Sequence, residues 1–541
     1  MIPFPCRLVA PAVALIALVA LPAPAALAAP DQASIMMDDD QLLYRTDNAR
    51  GRALTKMKGL GVDAVRVTVL WRVVAEGADP TAREIRRERT DRARARARRQ
   101  KARFDPDDPK TYPTRNWDRY DNLVKDASRM GIRVLFDVTG PGPRWAHRNA
   151  PPSQRSNQAT FKPYPTRFRD FVEAVGKRYS GGYRDENAGR GPLPRVNLWS
   201  IWNEPNQAGW LSPQFERRQG QLVPASPALY RRLFHAGRQA LESTGHGGDP
   251  ILIGETAPLG SNSRGARTAM RPGLFLRELV CVAQNGTRYG GADAARRDCD
   301  DFARRGPLRA TGYAHHPYTR RGAPTRAPRN ADDLTIANSA ALGTLLDTLS
   351  AQSAGALPSG LPLFYTEFGY ESNPPDPLNG IPVARQADYN QVGEFLAYTD
   401  PRVKAMTQFL LRDVAPVRRF KKGSKPYWFT FQSGLFYRSG RAKPAAFAYS
   451  FPFIAFKQGP GQVGFWGQLR FRPDGSPDVA VIQTRPNAQT PWAQLGPEIA
   501  TNPRGFFTAS SPAPSPTAEY RAVYVDPVTL KVANASLATK P

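Results

Sequence analysis

From residue 32 to about residue 456, the chain alternates short runs of β-branched and apolar residues with longer stretches whose apolar residues recur every three or four positions. The first pattern is typical of buried parallel strands, and the second of amphipathic helices that cross back over a sheet. Eight such units follow one another. We predict strands at 34–37, 64–70, 133–138, 197–202, 250–254, 310–314, 363–366 and 404–410.

Helical periodicity fills the spaces between these strands. Trp117, Tyr120 and Val124 lie on one helical face, and Gly131 ends this helix before the third strand. Eight strand and helix units in about 425 residues predict an α/β fold, a (β/α)8 TIM barrel with long loops. An open, doubly wound sheet is the alternative. Such a sheet would carry a glycine-rich phosphate turn after its first strand, and the sequence has none there.

After residue 457 the pattern changes to short apolar segments separated by Pro, Gly, Asn and Asp. These segments lack helical periodicity and predict a small C-terminal antiparallel β-sandwich domain at 458–541. Trp466 and Trp492 are candidates for stacking on a carbohydrate in this domain. The alternative is that both are core tryptophans.

The amino-terminal residues have the organisation of a secretory signal peptide. Arg7 precedes an apolar run at 8–21, and Ala26-Leu27-Ala28 resembles a small-residue cleavage site. We therefore expect 1–29 to be a signal peptide, the barrel domain to span 30–457, and the protein to be secreted. No later window reaches the ~20 apolar residues of a membrane helix, so we predict no integral membrane span.

The two cysteines beyond the signal segment also bear on the compartment. Cys281 and Cys299 can form a disulfide in an oxidising environment, and a pair of buried free thiols is the alternative. Neither cysteine lies in a C-x₂-C spacing. The sequence therefore predicts no metal site and no cofactor.

The chain is basic, with 75 Lys and Arg residues against 47 Asp and Glu residues, a net charge of +28. Much of the excess lies in an Arg-rich insertion at 81–104, where eleven basic and three acidic residues occur between Arg83 and Arg103. The insertion lacks interleaved aromatic residues, so we predict no nucleic-acid partner. An anionic polysaccharide or the cell envelope is a possible partner of this basic arm, and a solvated spacer is the alternative. We expect a monomer.

Two glutamates stand at the ends of predicted strands. Glu204 follows the fourth strand in Trp-Asn-Glu-Pro-Asn, and Glu367 ends the seventh in Thr-Glu-Phe-Gly. The loops after the strands build the active site of a TIM barrel. Two carboxyl groups at such positions are what glycosidic bond hydrolysis requires: an acid for the leaving oxygen and a carboxylate for the anomeric centre.

Both motifs resemble those of the clan A retaining glycoside hydrolases, nearest the cellulase-like family 5 or the β-xylosidase-like family 39. The resemblance spans most of 32–456. It implies that Glu204 is the acid/base and that Glu367 is the nucleophile. The implied activity is that of a glycosidase, a hydrolase of carbohydrate metabolism and polysaccharide catabolism.

Further residues match the same family one at a time. Arg66, on the second strand, resembles the arginine that hydrogen-bonds the nucleophile, where its charge would lower the carboxylate pKa; a structural ion pair is the alternative. Asn203 resembles the residue that contacts the sugar 2-hydroxyl. His316 and Tyr318 resemble the His-x-Tyr after the sixth strand, whose tyrosine orients the nucleophile. A metal site at the adjacent histidines lacks an apparent third ligand.

Other positions depart from the family pattern. Trp145, after the third strand, is a candidate platform for a sugar ring, but His147 is displaced from where relatives often carry a histidine. Many relatives have a tryptophan at the end of the eighth strand, and Trp428 in the following loop is a candidate substitute. Glu255 ends the fifth strand. We interpret it as a supporting residue and as the main rival carboxylate.

The resemblance implies a secreted retaining β-glycosidase that hydrolyses O-glycosidic bonds of a β-linked polysaccharide, oligosaccharide or glycoconjugate by double displacement. The alternative is a non-catalytic cell-envelope or polysaccharide-binding protein on a glycosidase-like barrel, because a fold does not fix a function. A pure binder has no need of the complete catalytic set, and this favours the enzyme.

Overall fold

A computed structural model describes residues 29–187, 191–472 and 478–541. Residues 1–28 of the predicted signal peptide therefore lie outside the described residues, and only its last residue is described. Within the described ranges, no helix has both the length and the apolar character needed to cross a membrane.

Eight parallel strands close into a barrel, which confirms the predicted TIM fold. We number them β1 to β8 along the chain, and each pairs with its neighbours in sequence, with β8 returning to β1. Their bounds are β1 Ala33–Met37, β2 Ala64–Leu70, β3 Arg133–Thr139, β4 Trp199–Ile201, β5 Ile251–Thr256, β6 Gly312–His315, β7 Leu363–Phe368 and β8 Val403–Phe409.

Helices cover the outside of the barrel, and their apolar stripes face the strands. Trp117, Tyr120 and Val124 are buried as the periodicity predicts. The α-helices are Asp39–Leu43, Asp47–Gly59, Trp71–Val74, Ala82–Arg87, Asp91–Arg103, Thr114–Arg129, Pro165–Arg178, Ser226–Leu241, Pro272–Leu279, Gly291–Arg296, Cys299–Arg305, Ser339–Gln352, Val383–Tyr398 and Pro444–Ser450.

Strand β5 extends two residues further than predicted, so Glu255 lies within the strand. The pairing of β5 with β6 shifts register between Gly254 and Thr256. Gly254 has φ 115°, and a Cβ there would stand 2.5 Å from the carbonyl oxygen of Ala314. Only glycine fits this close approach, and the bulge it permits turns the Glu255 side chain into the barrel.

Two antiparallel sheets form the C-terminal domain, a β-sandwich as predicted. One sheet contains Phe453–Gly459, Gln462–Gln468 and Phe506–Pro512. The other is built around Val479–Arg485, Glu519–Val525 and Val532–Ala535, with the short strands Ala493–Gln494 and Ile499–Ala500 at its edge. Side chains of both sheets share one apolar core. The first strand begins at Phe453, so the boundary expected at 457 falls inside it.

Trp466 is a core residue rather than a surface platform. It is 1% exposed and packs against Tyr398 of the barrel, with ring centroids 5.5 Å apart. Trp492 is half-buried, and the guanidinium groups of Arg485 and Arg521 lie 4.3 and 4.5 Å from the centre of its ring. The Trp492 ring is thus in contact with cations of its own domain.

The Arg-rich insertion folds into the helices Ala82–Arg87 and Asp91–Arg103, and the second of these buries no residue. Its carboxyl end is fixed to the barrel. Gln100 donates to the carbonyl oxygens of Ala78 and Thr111 at 3.2 and 2.7 Å.

Cys281 and Cys299 form a disulfide, with Sγ atoms 2.08 Å apart, as the first interpretation of the pair predicts. The bond joins the turn after helix Pro272–Leu279 to the start of helix Cys299–Arg305. It closes a loop of 18 residues on the outside of the barrel units.

Candidate active site

The carboxyl ends of the barrel strands bring the two predicted glutamates together. Glu204 follows β4 and Glu367 lies near the end of β7. One carboxylate oxygen of each lies within 4.8 Å of the other. Both side chains are largely buried, with 21% of Glu204 and 12% of Glu367 exposed, so the pair forms a recessed site that keeps access to solvent.

Unusual backbone conformations cluster around these residues. Trp202, Glu204 and Glu255 have φ values of 72°, 38° and 49°, in the left-handed region that side-chain-bearing residues rarely adopt. The Glu204 amide donates to the Glu255 carbonyl at 2.9 Å, which ties the end of β4 to β5. Such conformations persist where the surrounding structure fixes them, typically at functional sites.

Arg66, on β2, is fully buried and reaches across the floor of the site. Its Nη1 donates to Glu367 Oε1 at 3.0 Å. Its Nη2 donates to Asn203 Oδ1 at 2.7 Å, to Glu255 Oε2 at 2.8 Å and to Asp137 Oδ2 at 3.2 Å. Arg66 therefore contacts Glu367 and also forms buried ion pairs with Glu255 and Asp137.

Tyr318 and Asn203 complete the surroundings of the pair. The Tyr318 hydroxyl donates to Glu367 Oε2 at 3.1 Å, so the second carboxylate oxygen also receives a hydrogen bond. The backbone N–H of Asn203 donates to Thr139 Oγ1 at 2.9 Å. Its side-chain oxygen is held by Arg66, and its NH₂ group is a donor that can serve a substrate hydroxyl.

His316 bridges the two catalytic glutamates to a third carboxylate. Its Nδ1 lies 3.0 Å from Glu204 Oε1 and 3.6 Å from Glu367 Oε2. Its Nε2 lies 2.7 Å from Glu255 Oε2. Burial lowers the pKa of His316, but the charges of the three carboxylates outweigh burial and raise it to about 10. The ring is therefore an imidazolium at neutral pH, with both N–H groups donating to carboxylates.

Glu255 pairs with both buried cations, Arg66 and His316, and is not a rival nucleophile. Its side chain is fully buried and accepts from Arg66, from His316 and, at 2.8 Å, from the Thr366 hydroxyl. Burial raises its pKa, but Arg66 and His316 lower it to about 2. An ionised carboxylate with these partners and no exposed surface has no path to a substrate.

Asp137 was missed by the sequence reasoning. It lies on β3, is 0% exposed and accepts from Arg66. Burial raises its pKa well above the ordinary value. A signal was present, because a lone carboxylate inside the apolar run 133–139 requires a buried partner.

The balance of effects on Glu367 differs from the sequence-based expectation. Arg66 alone would lower the pKa of its carboxyl. Burial is the larger effect and raises the pKa, while His316 and Arg66 oppose it and Glu204 and Glu255 add to it. The arginine motif alone does not indicate how strongly burial in the barrel interior raises the pKa of the Glu367 carboxyl.

Trp145 occupies a different environment from the predicted sugar platform. It is half-buried and lies edge-on to Trp71 at 5.8 Å and to Phe104 at 5.6 Å, where it fixes the end of the Arg-rich insertion. His147 accepts from the Gly142 amide at 3.1 Å, and burial lowers its pKa to about 4. It shapes the loop after β3 as a neutral ring.

Trp428 lies on the short helix Lys425–Trp428 in the loop after β8 and is half-buried against Tyr427, with centroids 5.0 Å apart. Another aromatic residue of this loop is connected to the site through ring contacts. Phe431 packs on Phe409 at 5.1 Å, and Phe409 packs on Tyr318 at 6.3 Å. The sequence reasoning missed Phe431, although the four aromatic residues within 427–431 were a visible signal.

Glu204, His316 and Glu367 supply three potential metal-ligand atoms within 4.8 Å of one another, and His315, the other histidine of the adjacent pair, is not among them. Metal binding by histidine requires the neutral ring. Here both ring nitrogens face carboxylates and the pKa of His316 is raised to about 10. The donor set therefore fits a proton-bearing network better than a metal ion.

No protein-family model and no curated protein matches this sequence. Solved structures similar to it include a family 39 glycoside hydrolase from Bacteroides cellulosilyticus, at 13% identity and TM-score 0.46, over 92% of this chain and 81% of that one. A family 30 endoxylanase from Clostridium papyrosolvens matches at 12% identity and TM-score 0.43, over 91% and 95% of the two chains.

A GH5_18 protein from Streptomyces cattleya matches at 14% identity and TM-score 0.41, over 77% of this chain and 78% of that one. These proteins belong to glycoside hydrolase families of the kind that the motifs resemble. At this level of similarity the comparison concerns the fold, and the activity has to be argued from the site itself.

Proposed function

We propose that the protein is a secreted retaining β-glycosidase, with Glu367 as nucleophile and Glu204 as acid/base. One observation supports this most: two accessible carboxylates lie within 4.8 Å of each other, and each has its own hydrogen-bond donors. Arg66 and Tyr318 donate to Glu367, whereas His316 donates to Glu204. The donors therefore distinguish the roles of the two glutamates.

The cations of the network stand beside the catalytic pair. Arg66 and His316 both lie next to Glu367, and His316 also contacts Glu204. The buried Glu255 pairs with the same two cations. A retaining glycosidase starts its reaction with an ionised nucleophile and a protonated acid, and we assign the ionised role to Glu367.

Glu367 is the ionised member because two donors point at its two oxygens. In the first step, a Glu367 oxygen attacks the anomeric carbon while Glu204 gives its proton to the departing oxygen, and a covalent glycosyl-enzyme forms. In the second step, Glu204 takes a proton from water, and that water displaces Glu367. Two inversions at the anomeric carbon retain its configuration.

The short distance favours retention over inversion. An inverting enzyme keeps its carboxyl groups about 6.5–9.5 Å apart to admit a water molecule, and a retaining enzyme about 5–5.5 Å apart. One oxygen of each carboxylate lies within 4.8 Å of the other, which is nearer to the spacing of the retaining class. Export belongs to the same proposal, since a disulfide such as Cys281–Cys299 is typical of oxidising compartments.

A panel of chromogenic β-glycosides and β-linked polysaccharides tests the proposal. We expect E367A to lose turnover by at least about 10⁴-fold, as when a covalent nucleophile is removed. Azide should restore it and give a glycosyl azide of inverted configuration. E204Q should keep activity on substrates with good leaving groups, and azide should then give the retained product. E498Q, which changes an exposed carboxylate of the β-domain, is the matched control. Full activity of E367A would reject the assignment.

A further inference from the structure

The loop after β6 leaves the active site directly and is rich in arginine. It includes Tyr318, whose hydroxyl donates to Glu367. The segment 319–331 that follows contains four arginines and no acidic residue. All four side chains are exposed, and none forms an ion pair with a carboxylate in the described parts of the chain. They are Arg320, Arg321, Arg326 and Arg329.

The loop after β8 combines cations with exposed aromatic rings. Its segment 414–432 also contains no acidic residue. Phe429 and Phe431 are 71% and 51% exposed, far more than a phenylalanine with a packing role alone. Five cations of the segment are exposed without a carboxylate partner among the described residues. These are Arg418, Arg419, Lys421, Lys422 and Lys425.

Contiguous packing places the β8 loop at the rim of the site. The Phe431 ring lies on Phe409, and Phe409 lies on Tyr318. The base of the loop is fixed by a buried ion pair between Lys443 and Asp413 at 2.6 Å, with 0% and 2% of the side chains exposed. The exposed rings and cations are therefore presented from a fixed base beside the nucleophile.

The Arg-rich insertion is a third basic loop at the same end of the barrel, because it follows β2. In helix Asp91–Arg103, four arginines recur at the i, i+4, i+7 and i+11 positions of one face, where like charges repel each other. Phe104 at its end packs on Trp145, which follows β3. The four arginines are Arg92, Arg96, Arg99 and Arg103.

We propose that these three loops form a binding face for a negatively charged glycan, and that the substrate is a polysaccharide bearing carboxylate or sulfate groups. The inference rests on the proposed glycosidase function. Guanidinium groups pair with such anions through two parallel hydrogen bonds, and aromatic rings stack on the C–H faces of sugars. A charged glycan is one ligand that uses both kinds of group.

Other polyanions fit the loops less well. A helix that lies on a membrane has a broad apolar face, whereas Asp91–Arg103 has only alanines among its charged and polar residues. A single-stranded nucleic acid would require aromatic rings along the basic path. Among the described residues of these three loops, the exposed rings are confined to the β8 loop, at the rim of the site.

The direct test compares each polymer with its own neutral derivative. Reducing-end release is measured on glucuronan, hyaluronan and chondroitin sulfate, and on the same polymers after carboxyl reduction or desulfation. We expect the charged form of a hydrolysed polymer to have a kcat/KM about tenfold higher, an advantage that falls as salt screens the charges. Hydrolysis of the neutral forms alone would overturn the inference and leave the proposed function intact.

Loop variants make the test specific. R320Q/R321Q/R326Q/R329Q and R418Q/R419Q/K421Q/K422Q/K425Q should each raise KM for the charged polymer about tenfold, with kcat nearly unchanged. The control R52Q/K58Q/K457Q/K531Q removes four exposed charges from helix Asp47–Gly59 and the β-domain and should change neither constant.

Affinity electrophoresis through the same polymers separates failure of the inference from failure of the function. Retention by charged polymers that the loop variants lose, without hydrolysis of any substrate, would support the binding face and reject the glycosidase. Equal retention of wild type and loop variants would overturn the inference. Tighter binding to single-stranded DNA or to phosphatidylserine vesicles than to any charged glycan would also overturn it.

Discussion

At the residue scale, opposing effects set the pKa of Glu367. Burial raises the pKa of its carboxyl, and the Arg66 and His316 charges counter this. The ionised form must attack, so activity falls as the pH drops through the pKa of Glu367. The acid limb of kcat/KM should therefore lie above the ordinary glutamate range near 4.5.

Y318F tests this balance without removing a charge. The Tyr318 hydroxyl donates to the ionised form of Glu367, and its loss should raise the pKa of that carboxyl further. We expect the acid limb of kcat/KM to move to higher pH. Y398F, which changes a tyrosine at the contact between the barrel and the β-sandwich, is the matched control. An acid limb that stays in place would show that Tyr318 does not stabilise the nucleophile.

His316 gives a second prediction at this scale. Because its folded-state pKa of about 10 exceeds the ordinary value of 6.5, its protonation stabilises the fold fully below pH 6.5. That stabilisation is lost as the pH rises through 10. In E255Q the ring loses an ionised partner, so its pKa should fall, the stabilisation should be smaller, and its loss should be complete at lower pH.

Histidine-labelled protein allows the His316 prediction to be measured by NMR, because the chain has only five histidines. In the wild type one ring should titrate near pH 10, while burial lowers the pKa of His147 and His235 to about 4 and of His315 to about 3. E255Q should move the high titration downward, and E498Q should not. No titration near pH 10 in the wild type would contradict the imidazolium bridge.

At the element scale, the disulfide Cys281–Cys299 links two helical segments between β5 and β6. Closure of a loop of 18 residues stabilises the folded state by about 3 kcal/mol, mainly by restricting the unfolded chain. C281S/C299S should lower the free energy of unfolding by about this amount in urea titrations. Activity at 25 °C should remain, since neither cysteine contacts the site. A variant as stable as the wild type would contradict this role.

The strands show how far the sequence predicts the elements. Strand β2 matches its predicted bounds, and the others differ by a few residues at their ends. Apolar runs in a buried parallel sheet are a strong local signal. The bulge at Gly254 was not predictable, because it depends on the approach of Ala314 from the neighbouring strand.

Part of the site could likewise be predicted from the sequence, and part could not. Glu204, Glu367, Arg66 and Tyr318 lie at the strand positions that the sequence indicates, because each follows or lies on a recognisable strand. The bridging by His316 and the burial of Glu255 depend on distances across the barrel, which spacing along the chain does not contain. For the same reason, the contact of Trp145 with Phe104 was not foreseen.

At the scale of the whole molecule, one end of the barrel gathers the catalytic pair and three basic loops. The network of buried charges spans β2, β3, β5 and β7, and the loops after β4 and β6 complete it. The β-sandwich packs against the barrel through Trp466 and through the buried ion pair of Arg470 with Glu394. The surface of the barrel that packs against the β-sandwich is therefore separate from the end that carries the catalytic pair.

Trapping of the glycosyl-enzyme tests the central claim most directly. The protein is incubated with 2-deoxy-2-fluoro-β-glycosyl fluorides, which slow the second step more than the first, and the labelled peptide is sequenced by mass spectrometry. We expect a single sugar on Glu367, and none in E367A. A label on Glu204 or Glu255, or hydrolysis with inversion and no label, would contradict double displacement through Glu367.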